Sequence, residues 1–361
     1  MSIYDAQTVD APKFDDEART YDALLVLSFG GPEAMDDVIP FLQNVAEGRN
    51  IPRERLEEVA QHYYHFGGVS PINEQNRALI RALDTQLQAD RLDLPIYFGN
   101  RNWHPFVTDT IRQMRDDGVR RALVFATSAF SSYSGCRQYR EDVIRASEAV
   151  GDGAPEFDKL RVFYNHPGFI EPMIEKTWQA LAHFPAETQP DVHVIFTAHS
   201  IPAGMARGSD YVAQLDEACC LVAAGVGTTN YRLVYQSRSG PPHMPWLEPD
   251  IGDYLRLLQA QGIRRVVNVP IGFISDHMEV MVDLDIEARG LADELGIEFV
   301  RAETVGTHPA FIGMIRDLIR ERMTACPERL ALGTRGANHD ICPPNCCLKG
   351  ESGRPPVRPT T

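Results

Sequence analysis

Positive charge is scarce in this sequence. Its 35 lysines and arginines are outnumbered by 50 aspartates and glutamates, for a formal net charge of −15 and a pI near 5.2. Such a balance argues against a general surface for nucleic acid or anionic lipid, though it leaves room for a local basic site. Long apolar runs are missing too: none reaches membrane-spanning length, and the start, MSIYDAQTVDAPKFDDEARTYD, has no basic stretch leading into an apolar one. The sequence therefore reads as soluble and cytoplasmic, with no stable membrane anchor and no nucleic-acid partner. Disulfides are not expected from seven cysteines in a chain of this size and compartment. What is plentiful is core-forming material: 43% hydrophobic residues over 361 positions, enough for two α/β domains of ordinary size.

Ala23 to Phe29 (ALLVLSF) reads as a buried strand ending in Gly30-Gly31-Pro32, a turn that brings backbone close to whatever lies above it. About 170 residues later, His193 to Pro202 (HVIFTAHSIP) repeats the shape, with His199 where the first copy has Phe29. A stronger echo matches Trp103, Pro105, Gly118 to Arg121 and the strand Ala122 to Phe125 with Trp246, Pro249, Gly262 to Arg265 and Val266 to Val269, mostly at an offset of 144. Two tandem βα domains of one topology follow. The expected layout is an α/β chain: a flexible lead-in (1–20), a first domain (21–185), a second domain (186–310), a closing helix (311–325) and a cysteine-rich tail (326–361) too polar for a core of its own.

The stretch PIGFISDHMEVMVDLDIE (270–287) concentrates chemistry. An apolar run from Val266 to Ile274, broken only by Asn268, predicts a buried parallel strand. Ser275 or Asp276 would cap the helix that follows. Glu279, Asp283 and Glu287, spaced i, i+4, i+8, stack their carboxylates on one face, with Asp276 ahead of them. Like charges at this spacing repel by a few tenths of a kcal/mol unless a cation sits beside them. An acidic first turn is favoured by the helix dipole, so the ladder alone does not define a site. His277 and Glu279 at the mouth of a buried strand do favour one, because ligands bind at strand C-termini in open α/β sheets. His199 ends the equivalent strand, and parallel sheets in both halves would turn Phe29, the 128–139 loop, His199 and 276–279 toward one cleft. A neutral imidazole there serves as metal ligand or proton acceptor.

Other stretches offer binding groups. Gly67 to Pro71 could hold an anion through backbone N–H groups and the Ser70 hydroxyl. SAFSSYSGCRQY (128–139) supplies Tyr133 and Arg137, and 235–242 supplies Arg238, with Met244 and Trp246 as a flat apolar wall. Cys326, Cys342, Cys346 and Cys347 form a C-x15-C-x3-CC set that suits structural Zn²⁺ or a [2Fe–2S] cluster. Adjacent ligands are awkward round one tetrahedron, so Cys136 is an alternative fourth ligand in place of Cys346. Cys219 and Cys220 lie in a helical apolar pattern and read as core.

SFGGP (28–32), GGVSP (67–71), FGNRNW (98–103), TAHSIP (197–202), YQSRSGP (235–241), PWLEP (245–249) and GFISDHMEV (272–280), in this order between Leu24 and Ile319, resemble the ferrochelatases. The tail cysteines resemble the iron–sulfur members found among actinobacteria. The resemblance implies two Rossmann-like domains enclosing a porphyrin, insertion of Fe²⁺ and release of two protons. By motif position, His199 is the metal ligand and proton acceptor and Glu279 the opposing carboxylate and second ligand. Asp276, His277 and Asp283 support them or transfer protons. Phe29 stands where bacillus-group relatives carry tyrosine, and Arg49 is the one arginine left in its loop to meet propionates, with Ser70, Arg137 and Arg238 to compensate. Coproporphyrin III is the implied substrate, a [2Fe–2S] cluster the implied cofactor, and a coproheme decarboxylase the implied transient partner. The alternatives are a protoporphyrin IX ferrochelatase on the same scaffold and a non-catalytic porphyrin- or haem-binding protein.

Overall fold

The computed structural model describes residues 12–48, 51–240 and 243–350. Two four-stranded parallel sheets organise them. The first has the order β2-β1-β3-β4, with β1 (Ala23–Ser28), β2 (Ile96–Asn100), β3 (Arg121–Ala126) and β4 (Glu156–Lys159). The second repeats it as β6-β5-β7-β8, with β5 (His193–His199), β6 (Tyr231–Gln236), β7 (Arg265–Val269) and β8 (Glu298–Arg301). The echo seen in the sequence is thus a repeat of topology, and its details recur. Asn100 N–H donates to Pro105 O, and Tyr235 N–H donates to Pro249 O at the matching place.

Every residue of β1 is buried, as its unbroken apolar run requires of a central strand covered on both faces. Leu24, Val26, Leu123 and Phe125 of the first sheet and Phe196, Val267 and Val269 of the second share one core. Helices α1 (Pro167–Leu181), α2 (Tyr211–Val226) and α3 (Pro309–Met323) contribute Phe169, Leu215 and Phe311 to it. Helix α1, expected in the first domain, packs on β7 and β8 of the second sheet.

Two further expectations change. The lead-in is not free over 13–19: Lys13 and Ile341 exchange backbone hydrogen bonds, and the Asp15 carboxylate meets Arg322 at 3.0 Å. The described part of the tail, 326–350, is tied to the body as well. Arg161, fully buried, grips Glu321 through two hydrogen bonds of 2.7 and 2.9 Å and donates to Leu330 O at 3.0 Å, while Glu217 accepts from the N–H groups of Thr334 and Arg335. A polar segment without its own core is held here by charge-assisted hydrogen bonds to someone else's.

No helix among the described residues is long and apolar enough to cross a membrane.

Candidate active site

His199 is the last residue of β5 and half-buried. Its Nδ1 lies against Ser200 O, which can only accept, so Nδ1 carries the proton of the neutral ring and Nε2 keeps a lone pair. That Nε2 faces Glu279 Oε1 across 3.7 Å. The loop after β7 makes this approach possible. Gly272 N–H donates to Thr197 O at 3.0 Å, and a Cβ at Gly272 would lie 2.7 Å from Ala198 Cα, so only glycine lets the loop cross the end of β5. Strand β7 stops at Val269, earlier than the apolar run suggested; Ile271, Phe273 and Ile274 are buried as loop instead.

The acidic segment starts one or two residues later than expected. Its cap is His277, not Ser275 or Asp276: His277 Nδ1 accepts from Glu279 N–H at 3.2 Å. One short turn, Met278–Val280, leads into a π-helix, Met281–Ala288. A wider i→i+5 turn of this kind is a common mark of functional sites. Burial holds His277 below the ordinary histidine value, although the charges of Glu279 and Asp276 pull the other way. Burial likewise raises Asp283 to about 7; the Ser237 hydroxyl, which donates to it, is outweighed once the charges of Glu279 and Glu287 are added. Ser237 reaches Asp283 from a left-handed backbone (φ 63) just past β6, and Gln236 Nε2 ties Glu279 O at 3.0 Å. Glu287 is exposed.

Asp276 is committed elsewhere, to Arg301 at 2.8 Å, and Arg301 also binds Asp285. Its backbone is clamped from the first half of the chain: Gln75 donates to Asp276 O and accepts from Asp276 N–H, both at 2.8 Å. Neither Gln75 nor Arg301 carried a sequence signal, since a lone amide or arginine on a helix or strand has no periodicity to betray it.

Phe29 follows β1 and stands at the position equivalent to His199. With Phe41, Tyr63 and Trp103 it forms an edge-to-face aromatic cluster, with ring centroids 5.7 to 6.4 Å apart about Phe41. Burial and then the Glu279 charge raise the Tyr63 hydroxyl. Trp246 is half-buried beside the turn after His199: it pairs with Pro202, and Leu247 N–H donates to Ile201 O. Arg238 is exposed and donates to Met244 O at 3.3 Å. Ser70 is buried under the first glycine turn, where a Cβ at Gly31 would meet its hydroxyl at 2.8 Å. Arg49 lies outside the described residues. Tyr133 and Arg137 are drawn away toward the tail: both bind Glu141, and Arg137 donates to the carbonyls of Pro344 and Cys346.

That tail builds a second site. Cys136, Cys342, Cys346 and Cys347 line one small cavity with Arg137, Arg140 and Lys159. Cys326 is not among them; it is exposed beyond α3, with its N–H on Asp16 O, and Cys136 lines the cavity beside Cys342, Cys346 and Cys347. The reason is that a π-turn at Tyr133–Arg137 swings Cys136 under the tail. The Cys342 contact, then burial, push Cys136 well up. Cys136 in turn pulls Cys342 down, but Cys346 and burial prevail and leave it at about 11. Burial works against the Lys159 charge, yet the neighbouring sulfurs outweigh it. Four cysteines lining one small cavity, ringed by three basic side chains, fit a Cys₄ iron–sulfur or zinc centre.

The sequence pattern of the ferrochelatase family matches residues 21–323. The ferrochelatase of Rhodopirellula baltica is 55% identical over 345 residues, covering 94% of this chain and 97% of that protein. The coproporphyrin III ferrochelatase of Streptomyces coelicolor is 53% identical, covering 92% and 94%, and that of Mycolicibacterium smegmatis 52%, covering 87% and 93%. With a match of this extent over two repeated parallel sheets and an imidazole facing a carboxylate at their strand ends, the chain belongs to the ferrochelatase family.

Proposed function

We propose that this chain inserts Fe²⁺ into coproporphyrin III, giving Fe-coproporphyrin and two protons. The observation that carries the reading is the pairing of His199 Nε2 with the Glu279 carboxylate at 3.7 Å. Actinobacterial relatives at about half identity bear the coproporphyrin III name, which favours that porphyrin over protoporphyrin IX.

A flat macrocycle hides its two pyrrole N–H groups, and Fe²⁺ holds its hydration shell. Contacts of the ring faces with Phe29, Tyr63 and Trp246 supply binding energy that offsets bending the ring until its nitrogens tilt outward. The Nε2 lone pair of His199 then takes a pyrrole proton, and Glu279 stabilises the resulting imidazolium. The second proton leaves along Asp283, whose raised value suits exchange near neutrality, toward exposed Glu287. Fe²⁺ replaces the two protons on the ring nitrogens, so charge balances. On entry Fe²⁺ is held by neutral His199 and by Glu279, and the Nε2 lone pair takes the pyrrole proton only once the metal has passed from it to the ring. Arg238 and Arg49 are the candidates for the propionates.

Cys136, Cys342, Cys346 and Cys347 would hold a [2Fe–2S] cluster. When bound, the cluster supplies four metal–sulfur bonds that fasten the tail to the 133–137 turn; no step of insertion passes through it. The reaction belongs in the cytoplasm, and a coproheme decarboxylase would take the product by transient contact.

Anaerobic turnover of the two porphyrins side by side tests this. The expected result is faster insertion into coproporphyrin III. Faster insertion into protoporphyrin IX would overturn the substrate assignment, and tight binding without insertion would point to a carrier.

A further inference from the structure

The loop that carries the tail cysteines also carries a histidine with no part in the chemistry above. His339 Nε2 lies 3.2 Å from Cys342 Sγ, and ligand atoms of His339, Cys342 and Cys346 fall within 4.8 Å of one another. The residues on both sides of His339 are tied to the body. Asp340 binds Arg329 at 2.9 Å and accepts from Asp15 N–H at 3.0 Å, and Ile341 is bridged to Lys13. On the other side, Gln214 Nε2 donates to Asn338 Oδ1 at 3.3 Å. An imidazole held from both flanks has little freedom to leave the sulfur.

We propose that His339 is a positioning residue for the metal–sulfur centre: its Nε2–H donates a hydrogen bond to the Cys342 sulfur and raises the one-electron reduction potential of a cluster held by Cys136, Cys342, Cys346 and Cys347. This rests on the cluster reading above. A thiolate bound to iron has no proton, so the 3.2 Å contact persists only with nitrogen as the donor. Such a bond draws charge from sulfur and favours the reduced, more negative cluster, which is how hydrogen-bond donors to the ligating sulfurs tune these centres. Four thiols already surround the cavity, so the imidazole is not required as a ligand.

The test uses the full chain purified without oxygen, with dye-mediated redox titration of its visible and paramagnetic signals. His339→Ala is expected to keep the cluster and shift the oxidised-to-reduced ratio at a fixed potential about tenfold toward oxidised, about 59 mV for one electron. His339→Gln, which keeps an N–H donor, is expected to recover part of that shift. Equal potentials in three cluster-bearing proteins overturn the inference while leaving the cluster intact. So does the strong nitrogen coupling of a directly ligated imidazole in the unmodified protein, or loss of the cluster from both variants. An unmodified protein that holds no cluster sinks the cluster reading itself, and this inference with it.

Discussion

A carbonyl oxygen beside Nδ1 decides what His199 offers the cleft. With the proton fixed on the Ser200 side, the base faces Glu279 and any bound ring. Asp283 is the second residue whose state matters. Its folded value of about 7 lies above the ordinary one near 3.8, so the folded chain holds that proton more tightly than the unfolded chain does. Stability from this group is therefore complete below about pH 4 and declines as pH rises toward 7. Asp283→Asn, which cannot ionise, should be more stable than the parent at about pH 8, with the advantage fading toward pH 5 in urea unfolding. The same variant should lose the neutral limb of the insertion rate. An unchanged pH–rate profile would remove Asp283 from proton transfer.

Between residues and the whole stands the 276–288 segment, whose ladder was legible as i, i+4 carboxylates and whose π-turn was not. The same residues satisfy an α pattern, and only the His277 cap and the Gln236 contact to Glu279 O reveal the wider turn. Gln75 ties this segment to the first half of the chain. Removing its amide by Gln75→Ala leaves both backbone groups of Asp276 without their partner, at about 1 kcal/mol for each hydrogen bond. The expected result is a loss of about 2 kcal/mol in stability and a fall in kcat through looser placement of Glu279. Wild-type kcat in a stable Gln75→Ala protein would show that the clamp is structural alone.

Across the molecule, the duplicated sheets could be seen in advance because Gly-Val-Arg-Arg (118–121) and Gly-Ile-Arg-Arg (262–265), each followed by an apolar strand, recur at an offset of 144, and parallel sheets demand such runs. What could not be seen is how the polar ends dock. Nothing in Cys136 or Cys326 alone tells which reaches the tail; the choice depends on Arg161, Glu217 and Arg137 gripping backbone far along the chain. Arg161→Ala should cost about 3–5 kcal/mol in urea unfolding by stranding buried Glu321, whereas Arg161→Met with Glu321→Leu should recover most of it. Equal losses in the single and double variants would mean that the pair is not what binds α3 to the body. The pairing of His199 with Glu279 remains central, and optical detection of Fe²⁺ insertion into coproporphyrin III without oxygen tests it most directly. The intact chain should insert iron, and His199→Ala should bind the porphyrin yet insert at least about 100-fold more slowly, the scale of a lost proton acceptor. Insertion by His199→Ala at the parent rate would contradict it.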